Sequence, residues 1–397
     1  MKKYIVHFYL GLSCLYVLQG TLYASGGSLS RLLLAIRLII SVYFFFVANL
    51  QYKLPKVLKI LSVLIVGWVL YGSLSLMSGP VVNWISPYYY LRNILDSLLP
   101  IYVFYVFAKR GQLTDRILAG WLYVFVIVGI AQFYRYSNLY QQKTEQEEYT
   151  NNAGYMILSI LPLLPLLNRR PLVQYSLLAL VMFYVLQGFK RGAIIAGSLS
   201  SMFFFIENYF IHRKTKTGVD FKQIFRVLLT IGLVIASVYV VQLVMSSSDY
   251  FIKRLEDSME GNSSGRDDIY STYYFWFINQ SNPFQFLFGN GGDATLRIFG
   301  QYAHNDWLEI AINNGFMMLI LYAIYWFLLI RETFKIRKKD SIAFMMMGMF
   351  VIIYFFRAFV SMSYNDISVY AASALGYALA VGGSSSGENK SDVSIKS

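Results

Sequence analysis

Long apolar runs separated by short polar breaks fill this chain almost from end to end. A helix crosses the hydrocarbon core of a bilayer in about 20 residues, at ~1.5 Å each. Runs near that length fall at about 4–21, 31–50, 57–77, 93–108, 117–134, 152–167, 172–189, 192–210, 224–245, 305–330, 342–360 and 364–382. They predict an all-α, polytopic membrane protein of about 12 transmembrane helices. The sixth run carries Pro162 and Pro165. Proline removes a backbone donor and crowds the preceding turn, so this run is expected to be short and irregular. No internal repeat stands out, and residues 1–382 read as a single transmembrane domain. The tail 383–397 is small and polar and is expected to be disordered on the cytoplasmic side.

Most polar breaks are simple connectors. The break 246–304 is too long for that, and long loops are usually functional or disordered. Its segment RDDIYSTYYFWFINQ, residues 266–280, is dense in aromatics. Such a helix suits the headgroup level of a membrane, where both anchoring and substrate contact fit it. The break 135–151, with Glu145, Glu147 and Glu148, is a second polar loop and a candidate lid. Orientation follows from the 34 Lys and Arg residues, because cytoplasmic ends of spans collect positive charge. With the N-terminus inside, most of them fall on inner ends: Lys2 and Lys3, Lys53 to Lys59, Lys109 to Arg116, Arg169 and Arg170, Arg213 to Arg226, Arg331 to Lys339, and the tail. That places 246–304 outside.

Composition agrees and removes other classes. The chain is 57% hydrophobic and 14% charged, against about 45–50% and about 25% in soluble domains. The formal charge of +13 is explained by the inner-end clusters, so nucleic-acid binding is not expected. A single Cys14 excludes an internal disulfide framework and a cysteine-based metal site. The N-terminal MKK followed by an apolar run and LYASGG has the form of a signal peptide; an uncleaved first helix is the favoured reading.

Chemistry concentrates at the outer ends. The stretch from Gly289 to Gly315 closes the long loop and enters an apolar helix, with His304 and Asn305 at the junction. An imidazole with an ordinary pKa near 6.5 can take a proton from a sugar hydroxyl. On an ideal helix His304, Leu308, Ala311 and Gly315 share one stripe, and Gly315 would admit a neighbouring helix. Asn305 suits an N-cap. Arg37, Arg92, Lys190, Arg191 and Arg357 lie in or near the outer halves of spans, with Asp96, Asp366 and Glu309 as acidic neighbours. Arg92 with Asp96, and Arg357 with Asp366, also read as structural pairs. The remaining excess of arginine suits a multiply charged anion anchored in lipid, because the guanidinium fork grips phosphate oxygens and stays charged.

The order Arg266, Gly289-Asn290-Gly291, His304-Asn305-Asp306-Trp307-Leu308-Glu309 and Gly315 resembles the signature of the O-antigen polymerase and O-antigen ligase family. Lys190-Arg191-Gly192 resembles that family's short outer Ser-Arg-Gly turn, with Lys in place of Ser. The resemblance implies a fold like the C-type glycosyltransferases, with about 12 spans and one large extracytoplasmic loop. It implies a bacterial cytoplasmic (inner) membrane enzyme that transfers an undecaprenyl-diphosphate-linked glycan to a sugar hydroxyl at the outer face, with no metal or other cofactor. His304 would activate the acceptor, and Arg191, Arg266 and Lys190 would hold the diphosphate. Asn305, Glu309, Arg37, Arg92 and Arg357 are supporting candidates, with Arg135 and Arg297 as further ones. Implied partners are the lipid-linked donor, a glycan or lipid-linked acceptor, membrane lipids and a chain-length regulator. A polymerase is preferred to a ligase that moves finished glycan to lipid A–core. A lipid-linked oligosaccharide flippase is the alternative of another class, disfavoured by the lack of internal repetition.

Overall fold

The computed structural model describes residues 4–78, 85–144, 153–188, 190–213, 266–280 and 282–383. The ninth apolar run at 224–245, the loop segment 246–265, Glu145 to Glu148 and the tail from residue 384 lie outside the described residues. The described chain is helical throughout, apart from an isolated bridge between Gln19 and Tyr23. Its helices are α1 Tyr4–Val17, α2 Ser28–Gln51, α3 Lys56–Ser78, α4 Ile85–Lys109, α5 Asp115–Thr144, α6 Ala153–Leu158, α7 Pro171–Gln187 and α8 Arg191–Arg213. Then come three shorter helices, α9 Arg266–Ile278, α10 Pro283–Phe288 and α11 Ala294–Phe299. The last three are α12 Asp306–Ile336, α13 Ser341–Val360 and α14 Val369–Gly382.

Six of these contain stretches long and apolar enough to cross a membrane: Ser28–Gln51, Lys56–Ser73, Tyr88–Lys109, Asp115–Leu139, Asp306–Ile336 and Ser341–Val360. Four more segments are apolar but shorter: Tyr4–Val17, Ala153–Leu167, Pro171–Gln187 and Val369–Gly382. Large side chains such as Ile39, Leu50, Ile127 and Phe327 are exposed along the helices. Lipid is the solvent that suits such a surface, and the protein is a polytopic helical membrane protein.

The run at 152–167 is irregular, as its two prolines require. After α6 the chain tightens into a 3₁₀ helix over Leu161–Leu167. Buried Gln174 repairs part of the loss by donating to the Leu164 carbonyl at 2.9 Å. The final helix differs from expectation, beginning at Val369 rather than near 364. Residues 361–368 are drawn into the protein by polar contacts that a hydropathy pattern does not record.

Lipid tails are as apolar as leucine, so helices in a membrane associate through close packing and polar contacts rather than through escape from water. Both devices are visible around α4, in which every residue from Ile101 to Phe107 is buried. Tyr102 donates to the Leu58 carbonyl of α3 at 2.8 Å. On another side α14 presents Ala371, Ala372, Ala374, Gly376 and Ala378, all buried. A side chain at Gly376 would overlap the backbone carbonyl of Ile101. Alanine is the better helix former by about 1 kcal/mol, whereas overpacking costs about 1–3 kcal/mol. Packing should win. Gly376→Ala is therefore expected to lower the thermal midpoint of the detergent-purified protein, and a raised midpoint would show that the α4–α14 contact is not limiting.

Candidate functional site

The helix α12 starts at a dense set of polar contacts. Asn305 is its N-cap: the side-chain oxygen accepts from the backbone N–H of Trp307 at 2.9 Å and of Leu308 at 3.2 Å. Its amide donates to the Phe359 carbonyl at 3.2 Å. The next residue, Asp306, is fully buried. Its carboxylate accepts from Ser363 N at 2.8 Å, Tyr364 N at 3.1 Å and Tyr322 Oη at 2.7 Å, and also from the Ser363 hydroxyl. A buried carboxylate is costly unless its lone pairs are filled. Here they are filled by the loop after α13, which is what draws residues 361–368 inward.

Glu309 turns away from the site and into the protein, where it is fully buried. Its carboxylate accepts from Ala303 N at 2.5 Å, Thr295 Oγ1 at 2.6 Å and Asn313 Nδ2 at 3.2 Å. Its contribution is structural: it pins the loop just before His304 onto α12. Gly315 does admit a neighbouring helix, the C-terminal end of α10, but at a break in α12 rather than on a continuous stripe. Gly315 (φ 78, ψ 178) breaks α12, and a side chain there would overlap the backbone of Leu287 and Gly289. The break releases carbonyls that the Gly289-Asn290-Gly291 turn occupies: Asn290 N donates to Ile312 O at 3.0 Å and Gly291 N to Asn313 O at 2.9 Å. Gly289 (φ 80, ψ −173) has the same extended left-handed backbone, a region open essentially to glycine alone.

His304 therefore lies before the helix rather than on its stripe. Its backbone is left-handed, with φ 53, an uncommon conformation that costs about 1–3 kcal/mol and clusters at functional sites. The Tyr270 hydroxyl, from α9, lies 3.3 Å from the His304 carbonyl and 3.2 Å from the Phe359 carbonyl, both within its reach as a donor. The imidazole is exposed, yet enough water is displaced around it to hold its pKa below the ordinary value, and Arg266 and Lys190 push the same way. Neutral imidazole is the form that accepts a proton.

The cations sort into two groups. Arg266, the first residue of α9, donates to the Val360 carbonyl at 2.8 Å. The positive side chain thereby sits at the C-terminal, partially negative end of α13. A side chain at Gly192 would overlap the Tyr155 hydroxyl and approach Val360 within 3.1 Å, so the Lys190-Arg191-Gly192 turn abuts the same place. Arg191 opens α8 there. Arg266 and Lys190, from two separate segments, both act on the His304 imidazole, and Arg191 follows Lys190 in the chain. The other candidate arginines have partners of their own. Buried Arg37 makes the direct ion pair with Asp96 at 2.9 Å; Arg92 also acts on Asp96 through its charge, while its guanidinium reaches Asn93 Oδ1 at 3.0 Å. Arg357 pairs with Asp366, as the sequence suggested. Arg297 donates to the Asn290 carbonyl at 2.7 Å and Arg135 to Gln132 at 3.3 Å.

Asp306, Tyr270 and Tyr155 were not singled out from sequence. An aspartate in the first turn reads as an ordinary complement to the helix dipole, and the two tyrosines are hidden among 33 in the chain. Among the described residues no group of three His, Cys, Asp or Glu is placed to hold a metal ion.

Glu309→Ala would leave the Ala303 N–H and Thr295 hydroxyl unsatisfied, at about 1–3 kcal/mol each. It is expected to lower the thermal midpoint and to loosen the His304 loop, read as faster amide hydrogen exchange over 296–304. Glu309→Gln, which keeps an acceptor, should do both to a lesser degree; equal effects would show that acceptance by residue 309 is not what holds the loop. Compared with known protein families and with characterised proteins, the chain matches none, so the likeness to the O-antigen polymerase and ligase family rests on its motif residues.

Proposed function

We propose that the protein is a metal-independent glycosyltransferase of the bacterial inner membrane, with about 12 spans and its active site on the outer face. It acts as an O-antigen or capsular polysaccharide polymerase, taking an undecaprenyl-diphosphate-linked glycan as donor and a sugar hydroxyl of a second glycan as acceptor. The observation that supports this reading is that Lys190 and Arg266 both act on the His304 imidazole and lower its pKa, with Arg191 next to Lys190 at the start of α8. The basic inner ends support the orientation, since Lys109 closes α4 and Lys335 lies in the last turn of α12, at the far end from His304.

In the proposed step the acceptor hydroxyl oxygen attacks the anomeric carbon of the donor sugar. His304 takes the hydroxyl proton as the new C–O bond forms. The bond between that carbon and the diphosphate oxygen breaks, its electron pair stays on the diphosphate, and undecaprenyl diphosphate leaves. Lys190, Arg191 and Arg266 stabilise the charge that develops on the leaving group. Direct displacement inverts the anomeric configuration. Asn305 and Tyr270 act through position, fixing the backbone on either side of the imidazole.

His304→Ala, expressed at the normal level, is expected to reduce polymer by about 10²–10⁴-fold, the range for loss of a general base. Full-length chains in a complementation assay would sink that role. Because burial and the two cations lower the imidazole pKa, the neutral base persists to lower pH than usual. The acid limb of the rate profile should therefore fall below about 6.5, and a limb above that value would contradict the assignment. The product of a deletion strain separates the related activities. A single repeat on the acceptor lipid is expected for a polymerase, whereas polymer stranded on undecaprenyl diphosphate would reassign the protein as a ligase.

A further inference from the structure

One buried polar atom at this site has no role in the chemistry above. Tyr155 lies in α6 and is 4% exposed, and its hydroxyl has no hydrogen-bond partner among the described residues. The ring is accounted for, since the Arg357 guanidinium lies 4.7 Å over it. Phenylalanine would serve that contact equally well. The hydroxyl is what needs a reason, because buried phenols almost always find a partner.

Its surroundings define the partner's chemistry. The hydroxyl lies against the first turn of α8, so close that a side chain at Gly192 would overlap it. The opening N–H groups of a helix have no intrahelical partners and favour negative charge. With its 23 residues, α8 is long enough for that effect to be developed. Lys190 and Arg191 enter the same turn. The charged groups acting on the hydroxyl are Arg357 and Arg266, with Tyr270 beside them. A phenolic donor, a helix N-terminus and several cations all select for an anion rich in acceptor oxygens.

We propose that Tyr155 is a ligand residue of a phosphate site, its hydroxyl donating to a phosphate oxygen held at the first turn of α8 between Lys190, Arg191 and Arg266. The assignment deepens the reading of this region as the seat of a lipid-linked diphosphate and rests on it. The same chemistry accepts a phosphate free in solution, so the two sources are separated by experiment. Gly192 is required because the helix backbone must approach the phenol without a side chain between them.

The test uses the full-length protein in nanodiscs, titrated calorimetrically with inorganic pyrophosphate and with farnesyl diphosphate. Tyr155→Phe keeps the ring and is expected to weaken binding by about 10–100-fold with an unchanged thermal midpoint. Gly192→Ala, which pushes the hydroxyl aside, should weaken it in the same direction and decides the matter if Tyr155→Phe folds poorly. Weakening with both probes supports recognition of the phosphate itself; weakening with farnesyl diphosphate alone supports a site that needs the lipid as well. Equal affinity in wild type and variants, or no binding of either probe to the wild type, overturns the proposal. A deletion strain with unaltered polysaccharide would remove the polymerase reading while leaving a positive binding result in place.

Discussion

The carboxylate of Asp306 is the contact on which the upper part of this protein depends. In a lipid environment helices gain little by hiding apolar surface from one another, so a buried acceptor that gathers several donors has disproportionate weight. Asp306 gathers backbone N–H groups from Ser363 and Tyr364 and hydroxyls from Ser363 and Tyr322. It thereby joins the start of α12, its own second half and the loop between α13 and α14. That loop is held to the rest of the bundle as well, through Ser97 on the Asn365 carbonyl at 2.7 Å and through Ser368 beside Ser159. Asn305 and His304 are the two residues immediately before this anchor. Their position is therefore inherited from a buried polar network rather than from the loop that precedes the helix.

A second constraint is the placement of charge. Several arginines lie toward the end of the protein that holds His304, and a count made along the chain treats them alike. In three dimensions Arg37 and Arg357 face Asp96 and Asp366, while Arg92, Arg135 and Arg297 are held by amide or carbonyl oxygens. The cations left beside the imidazole are Arg266 and Lys190, with Arg191 at the same turn. They come from a periplasmic-loop helix and an interhelical turn in the proposed topology, not from the spans themselves. Charge near the surface of the bundle is easier to hold than charge within it, which fits the division between the ion-paired Arg37 and Arg357 and the cations beside His304.

This division explains what the chain disclosed in advance. Apolar run length located the helices, and the prolines at 162 and 165 announced the 3₁₀ segment, because both depend on residues close in sequence. The N-cap role of Asn305 was equally local. The pairing of Arg37 with Asp96 was hidden, since the partners are far apart along the chain and Arg92 offered a nearer alternative. The late start of α14 was only partly legible: Asn365, Asp366 and Ser368 interrupt the apolar run, but the distant contacts with Asp306, Ser97 and Ser159 that hold this segment in place leave no local mark. Glu309 looked like a candidate for chemistry because an acid in a membrane helix is rare. Its neighbours Thr295, Ala303 and Asn313 show that it holds the loop together.

The meeting of Gly289 and Gly315 bears on how such a sequence can vary. A side chain at Gly315 would overlap the backbone of Gly289 and Leu287, one at Gly289 would overlap the backbone of Asn313 and Asn314, and each glycine has a backbone that other residues avoid. No substitution at one position can be compensated by a substitution at the other, because the obstacle is main chain on both sides. The two glycines form a single inherited unit in two places: among descendants of this gene they should persist together or disappear together, along with the turn that joins them.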